Sequence, residues 1–220
     1  MRFHPFDALR PLPALAGKVA SAPYDTVDTA EARALAAGNP LSFLHVNHSE
    51  IDLPDTTPLH SDAVYAQAVR AFRKLQDDRV LFRDGKTRFW LYAQTMGPHT
   101  QVGLVGCAHV DDYARGVIKR HELTRADKEL DRTRHTEALG ANIGPVFLAY
   151  RDVPALDALF APVLATAPAY DFTDELSVRH RAWPFDGTAT VETLFAEAVP
   201  CAYIADGHHR AARSEERRVG

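Results

Sequence analysis

CAYIADGHHRAAR, residues 201–213, joins a short apolar run to a short polar run across one glycine. Residues 201–205 predict a buried strand, and residues 211–213 predict the beginning of a helix. A helix N-terminus offers unpaired backbone N–H groups and a partial positive charge, and Gly207 allows the backbone to approach a ligand closely. Arg210 adds a planar guanidinium that suits phosphate. The stretch therefore predicts an anion-binding turn between a strand and a helix.

Helices and strands alternate through the rest of the chain. Helical spacing of apolar residues and capping signals predict helices over residues 30–37, 61–77, 124–139, 155–165 and 191–198. Short apolar runs predict strands over residues 41–46, 79–82, 87–94, 100–110, 145–150, 170–172 and 176–183. The Asp-Gly pair within residues 83–86 predicts a hairpin turn. Because hairpins and crossovers are both expected, the predicted fold class is mixed α/β (α+β).

Composition limits the classes of partner. The chain has 220 residues, 46% of them hydrophobic and 25% charged, which suits one large domain or two small ones. A formal net charge of -4 gives no overall attraction to nucleic acid or to an anionic membrane, so we expect neither as a partner. The chain also has no apolar run long enough to span a bilayer and no signal-peptide pattern at its N-terminus. Cys107 and Cys201 lie in strand-like apolar runs, which predicts buried free thiols and a reducing, cytoplasmic location.

A charged block in the middle of the chain allows two interpretations. Its first part, residues 119–122, places three potential cations and one carboxylate in a row: Lys119, Arg120, His121 and Glu122. The helix that follows carries basic side chains at a spacing of three and four residues, on one face: Arg125, Lys128, Arg132 and His135. One interpretation is a solvated helix face with ion pairs such as Lys128–Asp131. The other is a functional basic surface, since sites are common in connecting segments.

Other chemical motifs are weaker. His45 with His48, and Asp131 with His135, have spacings that could ligate a metal, but a lone pair does not make a site. The sequence contains no Walker A loop, no GxGxxG and no GxSxG. We therefore assign no metal ligands from spacing and expect no serine nucleophile.

Several segments resemble one known family. These are Arg2-Phe3-His4-Pro5-Phe6, Ala22-Pro23-Tyr24-Asp25, Asn39-Pro40 with Ser42-Phe43-Leu44-His45-Val46, His121-Glu122-x-Thr124, and Ala205-Asp206-Gly207-His208-His209-Arg210. Together they are similar to domain-of-unknown-function family 1015 of bacteria and archaea. Members of that family are often labelled ParB-like, or SpoOJ/ParA/ParB/RepB family. The resemblance extends from the start of the chain to about Arg213, which predicts a single family domain over residues 1–213.

The resemblance implies ParB/sulfiredoxin-like structure around the turn. Proteins with that fold bind nucleotide phosphates at similar turns and include CTP-binding partition proteins, ATP-using sulfiredoxins and free-serine kinases. The residues that match are Asp206, Gly207, His209 and Arg210. Neither cysteine lies beside the turn, so the sulfiredoxin reaction is not implied. Because a fold does not fix a reaction, the activity remains to be argued from the site.

The end of the chain departs from the family pattern. Family members usually continue well beyond the turn, whereas this chain ends in SEERRVG, residues 214–220. We expect those residues to be a non-native tail on a C-terminally truncated domain. Strands and helices that cover the turn would then be missing, and the apolar faces that pack against them would be exposed to water.

The leading hypothesis is an enzyme, a small-molecule kinase, that binds a nucleoside di- or triphosphate with Mg²⁺ and transfers a phosphoryl group to a small metabolite. Gly207, His208, His209 and Arg210 would bind phosphate, with further positive charge from Lys119, Arg120 and Arg125. Glu122 or His121 would be the general base, and Asp206 would hold magnesium or orient Arg210. Two alternatives are a non-catalytic, nucleotide- or effector-sensing regulator and a purely structural Asp-Gly turn. The leading hypothesis requires residues 121–125 to lie close to residues 206–210.

Overall fold

The computed structural model describes the backbone of residues 1–216 and the side chains of residues 1–212. The chain forms two compact units. Unit 1 comprises Met1–Leu9, Arg83–Leu123 and Val146–Ala211, and unit 2 comprises Arg10–Phe82, Thr124–Pro145 and the described residues from Ala212 onwards. The predicted boundary of the family domain at residue 213 lies where side chains cease to be described, and residues 217–220 lie outside the described residues. That boundary remains a prediction.

Helices and strands are interleaved, which confirms the mixed α/β class. The strands are β1 (Phe3–His4), β2 (Phe6–Pro11), β3 (Leu81–Met96), β4 (His99–Val105), β5 (Cys107–Ala108), β6 (Ile118–Lys119), β7 (Phe147–Ala149), β8 (Tyr170–Thr173), β9 (Arg179–Phe185) and β10 (Ala202–Asp206). The helices are α1 (Ala16–Val19), α2 (Thr29–Ala36), α3 (Leu44–Asn47), α4 (Asp62–Asp77), α5 (Val110–Ala114), α6 (Ala126–Leu139), α7 (Pro154–Leu164), α8 (Thr188–Ala198) and α9 (His208–Glu216). Two short 3-10 helices span Pro13–Leu15 and Ser49–Asp52.

Unit 1 is built on two larger sheets and a small strand pair. In the larger sheet the order is β2-β3-β9-β8, and β4 also pairs with β3. A three-stranded sheet has the order β6-β10-β7, with β10 parallel to β6 and antiparallel to β7. The pair β1-β5 is antiparallel. The parallel pairing of β6 with β10 positions the candidate site, because the chain leaves both strands at the same edge of the sheet.

The core of unit 1 is aromatic. Phe3 stacks on Phe89 and on Phe195, with ring centroids 5.5 and 4.7 Å apart. Phe89 and Phe195 are almost completely buried. Gly106 lies against two of these rings: a Cβ atom there would stand 2.7 Å from a ring carbon of Phe3 and 2.7 Å from one of Phe89. The strand that bears Phe3 and the strand that bears Phe89 can therefore approach this backbone only because residue 106 has no side chain.

We expect Gly106→Ala to destabilise the protein by about 1–3 kcal/mol, because buried rings must move to admit the added methyl group. The measurement is the free energy of unfolding in urea. Gly103→Ala on the neighbouring strand β4 is the matched control, since a Cβ there meets no atom within 4 Å. The control should stay within about 0.5 kcal/mol of the wild type. Equal losses in the two variants would contradict the packing argument.

Unit 2 is mostly helical. Asp28 begins α2 with a capping box, in which its carboxylate accepts from the Glu31 N–H and the Glu31 carboxylate accepts from the Asp28 N–H. Ala32, Ala36, Leu44 and Ile51 form a buried cluster beneath this helix. The predicted stop of α6 is confirmed: Gly140 follows Leu139 in the left-handed conformation, with φ of 64°.

Two predicted elements are wrong. Residues 41–46 are not a strand; Leu44–Asn47 is a short helix whose first N–H is bonded to the Ser42 hydroxyl. A short apolar run cannot by itself distinguish a buried strand from a buried helical turn. Residues 83–86 are not a hairpin turn but lie inside the 16-residue strand β3. Gly85 takes its positive φ of 69° within the strand, where its N–H is bonded to Asp7 Oδ1 at 2.7 Å. The hairpin instead turns at residues 97–98, since Met96 pairs with His99.

The cysteines are less buried than predicted. Cys107 is exposed and Cys201 is partly buried. Cys107 lies on β5, where it pairs with His4, and successive residues of a strand face opposite sides.

The helices were also compared with the length and hydropathy that a bilayer requires. Within the described residues, each helix is too short or too polar to cross a membrane.

Candidate functional site at the turn after β10

The predicted strand, glycine and helix are present in that order. Strand β10 ends at Asp206, Gly207 follows with φ of 90°, and α9 begins at His208. The first helical hydrogen bond runs from the Ala211 N–H to the Gly207 carbonyl at 2.9 Å. A positive φ is costly for residues with a side chain, so the turn itself requires glycine.

Arg210 covers the glycine. A Cβ atom on Gly207 would stand 2.8 Å from Arg210 Nε and 2.9 Å from its Nη2. The guanidinium donates to the Asp206 carboxylate, and Arg210 is only 4% exposed. This contact is compatible with the predicted role of Asp206 in orienting Arg210, and both roles predicted for Asp206 remain predictions. The arginine is therefore held in place across the turn rather than extended into solvent.

His121 and Glu122 lie beside His208. The parallel register pairs Ile118 with Ala202 and Lys119 with Tyr203, so the residues after β6 emerge at the edge where the turn lies. The imidazole rings of His121 and His208 meet edge to face, with centroids 4.4 Å apart. Glu122 Oε1 is 3.3 Å from His121 Nε2 and 3.6 Å from His208 Nδ1. Two parts of the predicted site, distant in sequence, are thus brought together within unit 1.

Burial differs sharply within this group of three. The side chains of His121 and Glu122 are 58% and 57% exposed, whereas that of His208 is 5% exposed. Among the described residues, His208 Nε2 has no hydrogen-bond partner, and it is buried. One ligand atom from each of the three residues lies within 4.8 Å of the others, which is close enough for all three to bind one metal ion. Spacing in the sequence does not reveal this arrangement, because the two histidines are 87 positions apart.

Other predicted site residues have different surroundings. Arg120 stacks its guanidinium over the ring of Tyr113 at 5.1 Å, beside helix α5. Lys119 is an exposed residue of strand β6. Arg125 belongs to unit 2, where it forms an exposed ion pair with Asp127 at 2.6 Å. His209 is partly buried within α9.

The basic face of α6 lines a separate cavity of about 340 Å³ in unit 2. Arg132 lies over the ring of Tyr24 at 4.0 Å and donates to the Asp131 carboxylate. Arg132 and His135 are buried, so the solvated-face interpretation is wrong for these two residues, whereas Arg125 and Lys128 are exposed as that interpretation expects. Lys128 also lines the cavity.

Asp131 organises the polar side of this cavity. Its Oδ1 accepts from the Tyr65 hydroxyl at 2.7 Å and contacts His60 Nδ1 at 2.9 Å. Burial raises the pKa of Asp131, but the charge of Arg132 and the hydrogen bonds from Tyr65, Arg132 and His60 outweigh it, so the pKa lies below the ordinary value. Burial and the same carboxylate raise the pKa of Tyr65 to about 12. At neutral pH, Asp131 is therefore ionised and Tyr65 is uncharged inside the cavity.

The two histidine spacings considered as metal ligands are explained by hydrogen bonds. His45 contacts Asp52 Oδ1 at 2.9 Å, and His48 contacts Glu50 Oε1 at 2.9 Å and the Tyr24 carbonyl at 2.8 Å. His135 Nε2 contacts the Val46 carbonyl at 3.0 Å, so this nitrogen already has a backbone partner. These contacts agree with the structural interpretation of both pairs.

Comparison with known proteins gives a family but no activity. The family model described as "Protein of unknown function (DUF1015)" matches residues 3–218. No curated protein and no solved structure matches the chain. The function must therefore be argued from the geometry of the turn.

Proposed function

We propose a function for this chain, which belongs to the DUF1015 family of proteins of unknown function. It binds a nucleoside di- or triphosphate with Mg²⁺ at the Gly207 turn. It then transfers the terminal phosphoryl group of the nucleotide to a small metabolite. The observation that carries the proposal is the approach of His121 and Glu122 to His208, at the N-terminus of the helix that follows Gly207. That approach places a carboxylate and two imidazoles beside a backbone suited to phosphate.

Phosphate binding would use the backbone first. The first N–H groups of a helix have no carbonyl partner within the helix, and they point towards the N-terminus, where the helix dipole favours an anion. The positive φ of Gly207 directs the chain into this helix without a side chain in the way. Arg210 adds a positive charge that already lies over the turn. Asp206 is 61% exposed, so its carboxylate can also reach a magnesium ion bound to the phosphates.

Proton transfer would use Glu122. The hydroxyl oxygen of the metabolite forms a bond to the terminal phosphorus, the bond from that phosphorus to the nucleotide oxygen breaks, and the hydroxyl proton passes to a carboxylate oxygen of Glu122. Both imidazole contacts of Glu122 are made to Oε1. Oε2 is therefore the oxygen that a substrate hydroxyl would approach. Since Glu122 and His121 are exposed, the acceptor would reach them from solvent.

Titration calorimetry of the protein with ATP, ADP and CTP in the presence of Mg²⁺ tests binding. We expect saturable heat with at least one of the three, and no heat and no thermal shift with any of them would remove the proposal. Transfer is then followed by ³¹P NMR with a panel of hydroxylated metabolites. Binding without transfer to any acceptor would favour the alternative of a non-catalytic, nucleotide-sensing regulator.

We expect Arg210→Ala to weaken nucleotide binding by about tenfold or more, because a charge-assisted hydrogen bond or close charge to phosphate is lost. The matched control is Arg179→Ala, which removes an exposed arginine paired with Asp171 in the same unit. Calorimetry measures affinity, and thermal unfolding of the same samples measures stability. If Arg210→Ala lowers only the stability and leaves the affinity at the wild-type value, the turn is structural.

A further inference from the structure

The contacts within the group His121, Glu122 and His208 are too long for ordinary ion pairs. A charged N–H···O hydrogen bond has a length of about 2.8 Å. His4, His45 and His48 follow that rule, with carboxylate contacts of 2.6, 2.9 and 2.9 Å. Glu122 Oε1 instead stands 3.3 Å from one imidazole nitrogen and 3.6 Å from the other. The three side chains therefore converge without being bonded to each other at normal length.

Those separations match the spacing of ligands around a metal ion. In tetrahedral coordination with bonds of about 2.0–2.1 Å, neighbouring ligand atoms stand about 3.3 Å apart. The ligand atoms of His121, Glu122 and His208 all lie within 4.8 Å of one another, so small side-chain adjustments would complete the geometry. Two imidazoles and one carboxylate are a ligand set typical of zinc and related transition ions.

His208 is the buried member of the group, and the convergence of the three ligand atoms is the observation that supports the site. Its side chain is 5% exposed, it is turned towards Glu122 and His121, and its buried Nε2 has no hydrogen-bond partner among the described residues. Its Nδ1 lies beyond hydrogen-bond distance of Glu122 Oε1. Because Nδ1 is the nitrogen nearer to Glu122 and the directions of the two ring nitrogens diverge, an ion shared with Glu122 and His121 would be bound by Nδ1, and the unpartnered Nε2 is not directed at it. His208 is the first residue of α9, so its backbone is part of the helix, whereas the side chains of His121 and Glu122 are exposed.

We propose that His121, Glu122 and His208 form a binding site for one divalent transition-metal ion, with zinc as the reference ion. Three protein ligands leave a fourth position open towards solvent, because the side chains of His121 and Glu122 are both more than half exposed. This ion is distinct from the magnesium that accompanies the nucleotide, since magnesium prefers oxygen ligands alone. The site goes beyond the proposed function and can be tested without any nucleotide.

The test is titration calorimetry with ZnCl₂ on the full chain, free of any affinity tag and stripped with a chelator, together with the visible absorption spectrum of the Co²⁺-loaded protein. We expect one equivalent of zinc and a Co²⁺ spectrum of four- or five-coordinate intensity. His121→Ala and Glu122→Gln each alter an exposed ligand, so both variants should fold and should bind zinc at least about tenfold more weakly. His4→Ala is the matched control, because it removes an exposed histidine that contacts Glu192 in the same unit, and it should bind zinc like the wild type.

Either of two results would overturn the site: no stoichiometric zinc binding by the wild type, or wild-type affinity in both His121→Ala and Glu122→Gln. His208→Ala should also abolish the Co²⁺ spectrum, and thermal unfolding of that variant shows whether the loss accompanies unfolding. Since no nucleotide is present, a negative zinc result leaves the nucleotide test unaffected. A negative nucleotide result would likewise leave zinc binding intact.

Discussion

Glu122→Gln is expected to lower the rate of phosphoryl transfer by about 10²–10⁴-fold, which is the usual contribution of a positioned general base. The amide has the shape of the carboxylate but cannot accept the hydroxyl proton. Nucleotide affinity should be unchanged, because in the proposed function the backbone after Gly207 and Arg210 would bind the phosphates. The rate is measured by ³¹P NMR under saturating nucleotide and the affinity by calorimetry, both in protein treated with a zinc chelator, so that any ion held by the same carboxylate does not contribute.

The matched control for this variant is Glu192→Gln. Glu192 lies on α8 in the same unit and contacts His4 Nδ1 at 2.6 Å, so it is also an exposed glutamate beside an imidazole. It is not near the turn in any contact of the described residues, and its variant should transfer phosphate at the wild-type rate. If Glu122→Gln transfers at the wild-type rate with unchanged affinity, Glu122 is not the base, and His121→Ala becomes the corresponding test of the other candidate.

The turn could be predicted from sequence because its causes are local. A strand that ends at Asp206, a glycine with positive φ and a helix start each depend on residues within a few positions. The same is true of the end of α6 at Gly140. In both places one glycine is needed for a backbone conformation that other residues adopt at a cost, so its position carries structural information without any alignment.

The neighbours of the turn could not be predicted in the same way. His121 reaches His208 because β6 pairs in parallel with β10, yet β6 has only two residues. So short a strand has no periodicity to detect, and the pairing is decided by the rest of unit 1. The turn predicted from the Asp-Gly pair at residues 84–85 is wrong for the opposite reason. A strong local turn signal was overridden, and the pair lies inside the 16-residue strand β3, whose neighbours are β2, β4 and β9.

Asp131→Asn is expected to destabilise the protein by about 3 kcal/mol at pH 7, which is the loss typical when one partner of a buried ion pair is removed. Arg132 has a side chain only 11% exposed, and its charge would lose its bonded carboxylate. The amide nitrogen of asparagine would also face donors, because Arg132 and Tyr65 both donate to Asp131. Urea unfolding at pH 7 measures the difference.

The loss of stability in Asp131→Asn should depend on pH, in a direction set by the pKa of Asp131. Its pKa is lowered in the folded protein, so the ionised carboxylate stabilises the fold above the unfolded value of about 3.9, and the stabilisation disappears as the pH falls through the folded pKa. The asparagine variant does not titrate at this position. The stability difference between wild type and variant should therefore be largest near neutral pH and should shrink below about pH 4.

Asp127→Asn is the matched control on the same helix. Asp127 lies four residues earlier, is 63% exposed and pairs only with Arg125 in the contacts given above, so its replacement should leave stability close to the wild-type value at every pH. Equal losses for the two variants would assign the effect to the charge of the helix rather than to the buried pair. A loss for Asp131→Asn that stays constant down to pH 3 would show that the carboxylate charge does not stabilise the cavity, and that shape alone accounts for its place there.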